Sequence, residues 1–228
     1  MSSIHLHMLP PSVNNMTVRV FMRASGIAHD EENAWGKTRS EEFLAKIPAH
    51  LTPAIEDADH PRGAMWESCA IMMYVANKHG LDDLYPSDPG RRALVDSANF
   101  YLTGTLYPLL SRAVYPRLGF PCYPGEVASS DASDDLKATA RKAAEDALAE
   151  PLEVFRSYFL RKGFIGDGAA PTIADIRLAC TLEFMAMNDA PLPDWAKAYV
   201  GRVEEALGDA YSGPAGDVRG FVAHVKSA

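Results

Sequence analysis

Apolar and polar residues alternate over Ile4–Leu9, as on a strand with one buried face, and Pro10-Pro11 end the run because proline cannot continue a strand ladder. Met16, Val18, Val20, Phe21 and Ile27 then predict a helix, with Gly26 as its terminator. Ser40–Lys46 reads as a short helix, with Ser40 as N-cap and Glu41 and Glu42 in its first turn. Pro53–Glu56 and Ala64–Trp66 read as two short strands joined by the polar turn Asp57–Gly63. From Glu67 to His79, the residues Ala70, Ile71, Tyr74 and Val75 share one helical stripe, and Gly80 closes it. With one more strand between Gly26 and Ser40, the order is βαβ followed by ββα.

The pattern changes at Leu81–Pro89, which reads as a linker docking two domains, 1–82 and 90–228. Everything after it has helical spacing: Gly90–Leu118, Asp134–Arg161, Thr172–Met187, Pro193–Leu207 and a frayed tail. Pro108 and Pro116 should kink the first of these. Cys122–Ser133 is rich in Pro, Gly and Ser and reads as an exposed loop. The expected fold class is therefore α/β with a mixed four-stranded sheet, followed by an all-α domain.

Composition narrows the function classes. Of 228 residues, 47 % are hydrophobic, enough for real cores, and the net charge is −8. An acidic surface without a Lys/Arg run argues against nucleic acid as a partner. No apolar stretch reaches the roughly 20 residues needed to span a bilayer, and the start lacks the pattern of a secretory signal. Cys69, Cys122 and Cys180 form neither a disulfide framework nor a zinc pattern, which points to a reducing cytoplasm. Cys69 is expected to be buried and inert. The seven histidines show no ligand spacing, so no metal is expected, and His5 and His7 should face solvent.

Three segments, in order, resemble the cytosolic glutathione transferases. Ile47–Ile55 looks like the family's Asn-Pro-x-x-x-Val-Pro-x-Leu loop, whose second proline is cis; Pro53 takes that place. Glu67–Val75 matches the Glu-Ser-x-Ala-Ile-x-x-Tyr-Leu helix start, and Ala170–Ile176 resembles the Ser/Thr-x-x-Asp capping box of the helical domain. Arg91–Pro121 looks most like the theta class and its bacterial relatives. The resemblance covers nearly the whole chain and implies a thioredoxin-like first domain that holds glutathione. It also implies a homodimer.

In that reading the Ser68 N–H and hydroxyl, at a helix N-terminus, suit the γ-glutamyl carboxylate, and Glu67 reaches the γ-glutamyl ammonium. A cis Pro53 turns the backbone of Thr52 toward the cysteinyl part of glutathione, which pairs with it like an added strand. Free cysteine has a thiol pKa of about 8.5, so the enzyme needs a hydrogen-bond donor that favours the thiolate. Ser12 falls where theta-like members place their serine, and Asn14 and Asn15 are rival donors. Two departures from the family pattern are visible. Leu51 replaces the usual Gln or Lys for the glycine end of glutathione, which leaves His50, Lys37 or Arg39 to compensate, and Ile47 replaces the loop's opening Asn.

The second substrate, a small hydrophobic electrophile, is expected between the domains, against Tyr101, Thr105, Tyr107, Arg112, Tyr115 and Phe120. The implied function is glutathione S-transfer: activation of the thiolate for attack on an electrophilic carbon, with glutathione as co-substrate and no metal. β-Etherase or dehalogenase chemistry on the same fold, or a non-catalytic scaffold of that fold, are the alternatives.

Overall fold

The computed structural model describes residues 4–118 and 132–227. Phe120, Cys122 and most of the expected loop Cys122–Ser133 lie outside the described residues. The first part of the chain is a four-stranded sheet of order β2-β1-β3-β4. Strand β1 (Ile4–Met8) runs parallel to β2 (His29–Asn33) and antiparallel to β3 (Ala54–Glu56), which pairs antiparallel with β4 (Ala64–Trp66). The parallel pair is bridged by α1 (Val13–Ser25), and the sheet leads into α3 (Ser68–His79). Between β2 and β3 lies α2 (Glu41–Lys46), capped by Ser40, whose Oγ accepts the Phe43 N–H at 3.2 Å. Gly26 and Gly80 end α1 and α3 with φ of 67° and 63°, the left-handed conformation that glycine adopts without a Cβ penalty.

Alternation along β1 sends Ile4, Leu6 and Met8 into the core shared with α1 and α3. His5 and His7 point to the other face. That face is not left to solvent, as the sequence had suggested, because α2 folds over it. His7 is 7 % exposed, donates or accepts at Glu56 (2.7 Å), and packs edge-on against Phe43.

The rest of the described chain is helical. The expected first helix is α4 (Pro89–Tyr101), a π-helical turn at Leu102–Leu106, α5 (Tyr107–Val114) and a 3₁₀ turn at Tyr115–Leu118. Its interruptions fall just before Pro108 and around Pro116, because proline has no N–H for the regular ladder. The expected helix over Asp134–Arg161 is likewise broken, into α6 (Asp134–Ala147), α7 (Ala149–Val154) and a π turn at Phe155–Phe159. Then come α8 (Ile173–Met187), α9 (Asp194–Leu207) and α10 (Asp209–Ser227).

Helix α10 corrects the expectation of a frayed tail. The helix forms despite Gly208, Gly213, Pro214 and Gly216, with Tyr211, Ala215, Val218 and Val222 buried at helical spacing. They form the stripe that packs α10 against α1, and this burial outweighs the poor helix propensity of glycine.

Helix α8 is the central post, buried from Ile173 through Met185 and packed against α1, α3, α4, α5, α9 and α10. Its start is held by Asp175. One carboxylate oxygen accepts the Thr172 N–H (2.8 Å) and hydroxyl (2.7 Å), and the other accepts the Ile165 N–H (2.8 Å) and the Tyr199 hydroxyl. Burial pushes the Asp175 pKa up to about 6 against the pull of those donors. The expected capping role of Thr172 and Asp175 is what the geometry shows.

Candidate active site

A cleft of about 510 Å³ opens between the first helices of the two parts of the chain. On the sheet side it is lined by Asn14, Leu51, Thr52, Pro53, Glu67 and Ser68. On the helical side the wall is Phe100, Thr103, Tyr107 and Arg177, with Cys69 and Met73 of α3 between the two. Phe100 is 70 % exposed, an apolar ring standing at the surface.

The polar edge is built by local backbone. The Thr52–Pro53 peptide is cis. Just upstream of α3, Glu67 has φ 76° and ψ 110°, a region that L-residues rarely adopt and that costs roughly 1–3 kcal/mol. Ser68 is the first residue of α3 and is buried, while Glu67 is exposed. The strained turn therefore places a carboxylate and a free helix N-terminus side by side at the cleft.

The first turn of α1 supplies three polar side chains. Ser12 is its N-cap; its carbonyl accepts the Met16 N–H at 2.8 Å, but its hydroxyl makes no cap bond. Asn14 donates from Nδ2 to the Tyr107 hydroxyl at 2.8 Å, and its Oδ1 has no partner. Asn15 is buried and donates from Nδ2 to Thr52 Oγ1 at 3.2 Å. The Tyr107 hydroxyl is in turn in a short hydrogen bond with that of Tyr115. Arg177 stacks over the Tyr107 ring, 4.9 Å from its centre.

Of the residues expected from the sequence, Asn14, Thr52, Pro53, Glu67, Ser68 and Tyr107 line one cleft together. Asn15 and Tyr115 stand directly behind this lining, through their bonds to Thr52 and Tyr107. Ser12 begins the helix that presents Asn14. The remaining candidates lie elsewhere. Lys37 pairs with Glu32 at 2.6 Å in a separate groove shared with His7 and Phe43. Tyr101 packs against Phe155 and Phe159. Thr105 and Arg112 are exposed, and His50 is half-buried with φ 48°.

Cys69 departs from the expectation of burial, being half-buried on the cleft wall, 3.7 Å from Asn99 Oδ1 and 3.8 Å from Thr103 Oγ1. Arg177 and Phe100 went unseen in the sequence. Phe100, Thr103 and Tyr107 fall at i, i+3 and i+7, the helical spacing of one face, which is the signal that could have found them. His5, His7 and Glu32 come within 4.8 Å of one another, which spacing alone did not suggest. Glu32 is bonded there by His5 (3.0 Å) and Lys37, and its pKa is pulled down to about 2, chiefly by the Lys37 ammonium. The group is wired as an ion-pair network.

Comparison with known proteins agrees with this fold. A sequence model of the glutathione S-transferase N-terminal domain matches residues 6–86, and one of the C-terminal domain matches residues 138–209. Glutathione S-transferase 1 of Manduca sexta is 30 % identical over 186 residues, covering 81 % of this chain and 76 % of that protein. A delta-class glutathione transferase of Nilaparvata lugens superposes with a TM-score of 0.73 at 25 % identity, covering 97 % of this chain and 99 % of that one. Human glutathione S-transferase T1-1, in its W234R mutant apo form, superposes with a TM-score of 0.79 at 23 % identity, covering 99 % of this chain and 92 % of that one. No helix among the described residues is long and apolar enough to cross a membrane. With a thioredoxin-like sheet domain, an all-helical domain and both sequence matches in register, the chain belongs to the glutathione S-transferase family.

Proposed function

We propose that this cleft binds glutathione along its sheet side and transfers it to a small electrophile held on its helical side. The observation that carries the reading is the pairing of the strained Glu67 turn with the N-terminus of α3 in one cleft lining. The Ser68 N–H and hydroxyl receive the γ-glutamyl carboxylate, and Glu67 reaches the γ-glutamyl ammonium. The Thr52 backbone pairs with the cysteinyl unit, and Pro53 shapes that edge. For the glycine carboxylate, His50 is a better candidate than Lys37, which is already spent on Glu32 in a separate groove.

Ser12 is the proposed partner of the sulfur. Its hydroxyl makes no cap bond to the helix, whereas the Asn14 amide already gives one of its two hydrogens to Tyr107. A hydroxyl at the positive end of α1 lowers the thiol pKa, leaving a thiolate ready at neutral pH. That thiolate attacks an electrophilic carbon, and the leaving group departs with its electron pair. Reductive or lytic use of the same thiolate is a variant of this chemistry. We further propose that the domains divide at residues 82–90, that two chains pair as a homodimer, and that the enzyme works in the cytoplasm.

Retention on immobilised glutathione and conjugation of 1-chloro-2,4-dinitrobenzene test the reading together. Ser68→Ala should weaken glutathione binding about tenfold or more, the usual loss for a hydrogen bond to a charged group. Full retention of glutathione by Ser68→Ala, with an unchanged melting temperature, would assign the γ-glutamyl end elsewhere.

A further inference from the structure

Arg177 lies in the middle of the buried post α8, and its side chain forms part of the cleft floor beside Tyr107. It is 2 % exposed. Its hydrogen-bonding partner is the Thr17 hydroxyl, at a long 3.4 Å from Nη1. Among the described residues its Nε has no hydrogen-bond partner. Among the described residues it makes no ion pair. The acids nearest in sequence on its own helix are committed: Asp175 to the donors from Thr172, Ile165 and Tyr199, and Glu183 to Tyr211 and Arg219.

A guanidinium is charged at every physiological pH and offers five donors in a fixed plane. Burying it without a counter-ion is costly, and stacking on the Tyr107 ring recovers only part of that cost. The charge is therefore held at the cleft in readiness for an anion that none of the described residues supplies. With Nη1 engaged, the edge carrying Nε is buried and unsatisfied, and such an edge has the geometry for two oxygens of a single carboxylate.

We propose that Arg177 is the specificity residue for the second substrate, and that the enzyme prefers an electrophile carrying a carboxylate. This rests on the glutathione-transfer reading above. The anion sits on the Arg177 edge, the apolar body lies against Tyr107 and Met73 under Phe100, and the reacting carbon faces the sheet side where the sulfur is held. The carboxylate is a handle and is unchanged by the reaction. With a chloroarene carboxylate, the glutathione thiolate forms the new C–S bond, the C–Cl bond breaks, and chloride leaves with the electron pair.

The same cation could instead serve the glutathione thiolate, and the test separates the two sources of negative charge. The unreactive pair 3,5-dinitrobenzoate and its methyl ester is titrated calorimetrically into the wild-type protein, with and without glutathione. The reactive pair 4-chloro-3,5-dinitrobenzoate and its methyl ester is assayed for kcat/KM. Wild type should bind the acid about tenfold or more tightly than the ester, as expected for a charge-assisted bond. Arg177→Met should abolish the preference in both binding and kcat/KM, and Arg177→Lys should retain part of it. Glutathione affinity and the thiol pKa of the bound complex should stay as in wild type.

Equal binding of acid and ester by wild type overturns the proposal without recourse to any variant, so a poorly folding Arg177→Met does not shelter it. A preference that survives in Arg177→Met overturns it as well. A raised thiol pKa in Arg177→Met, with acid and ester turnover falling equally, overturns it in favour of the thiolate. If wild type fails to bind glutathione but still prefers the acid, the glutathione reading fails and the anion site stands.

Discussion

Asn15 donates its Nδ2 hydrogen to Thr52 Oγ1 across 3.2 Å, and so ties the first turn of α1 to the loop before Pro53, 37 residues on. Both ends of the bond belong to segments proposed to hold glutathione. Asn15→Ala leaves the Thr52 hydroxyl without that donor and frees the loop to shift. Stability should fall by about 1 kcal/mol, the common net worth of one such bond. Glutathione affinity should fall several-fold, because the Thr52 backbone is no longer pre-positioned. Chemical denaturation and calorimetric titration with glutathione read the two effects separately.

The proposed division of labour between Ser12 and Asn14 can be read at the sulfur itself. Ser12→Ala should raise the pKa of the bound thiol and lower turnover near neutral pH, with little change in glutathione affinity. Loss of one donor at an oxyanion site costs about 10²–10³ in rate, and a diffuse thiolate charge should bring the loss to the lower end of that range. Asn14→Ala should alter the Tyr107 side of the cleft and leave the thiol pKa in place. Thiolate absorbance of the complex against pH is the measurement; a raised pKa in Asn14→Ala alone would move the role to the asparagine.

Glu67 sits at φ 76°, where a Cβ is unfavourable. Glu67→Gly should relieve that strain and hold or raise the melting temperature, while Glu67→Ala should not. Both should weaken glutathione binding, since both remove the carboxylate offered to the ammonium. Opposite signs for stability and binding in the glycine variant mark strain retained for function.

The acid sensitivity of the fold should report on Asp57. This carboxylate is 2 % exposed; burial alone would raise its pKa, but the Lys78 ammonium at 2.6 Å, the Asp59 N–H and the Tyr74 hydroxyl outweigh burial and bring it to about 2. A lowered folded pKa means stability that is present above the unfolded value of about 3.9 and lost as pH falls from about 4 toward 2. The shift corresponds to about 2–3 kcal/mol. In Asp57→Asn the stability should be lower at pH 7 and decline less steeply between pH 4 and 2. Since Tyr74 and Lys78 belong to α3, the same variant should loosen the helix that presents Ser68.

How much of this was legible in the sequence follows from which forces are local. The caps at Gly26, Ser40, Gly80 and Thr172–Asp175 were readable because each depends on one residue and its near neighbours. Two of the three family-like segments likewise carry Thr52, Pro53, Glu67 and Ser68, which line one cleft. Helix α10 was missed because its glycines and proline speak locally for breakage, while the burial that forms it comes from α1 at the other end of the chain. Arg177 was missed for the converse reason. A lone charge on a helix normally points outward, and only the wrapping of α8 on every side turns this one inward. His7 faces the surface of an isolated strand and is covered only once α2 folds across it.

The packing of α10 behind α1 also bears on synthesis. The helix that begins with Ser12 and carries Asn14 and Asn15 receives Arg19–Asp217 as a clamp from a residue 198 positions later. A growing chain on the ribosome completes the sheet early, yet the back of α1 and the surfaces that meet α8 stay uncovered until the last helices emerge. The sheet domain by itself therefore leaves apolar surface of α1 uncovered. The helix proposed to favour the thiolate is held from behind only once α10 has emerged.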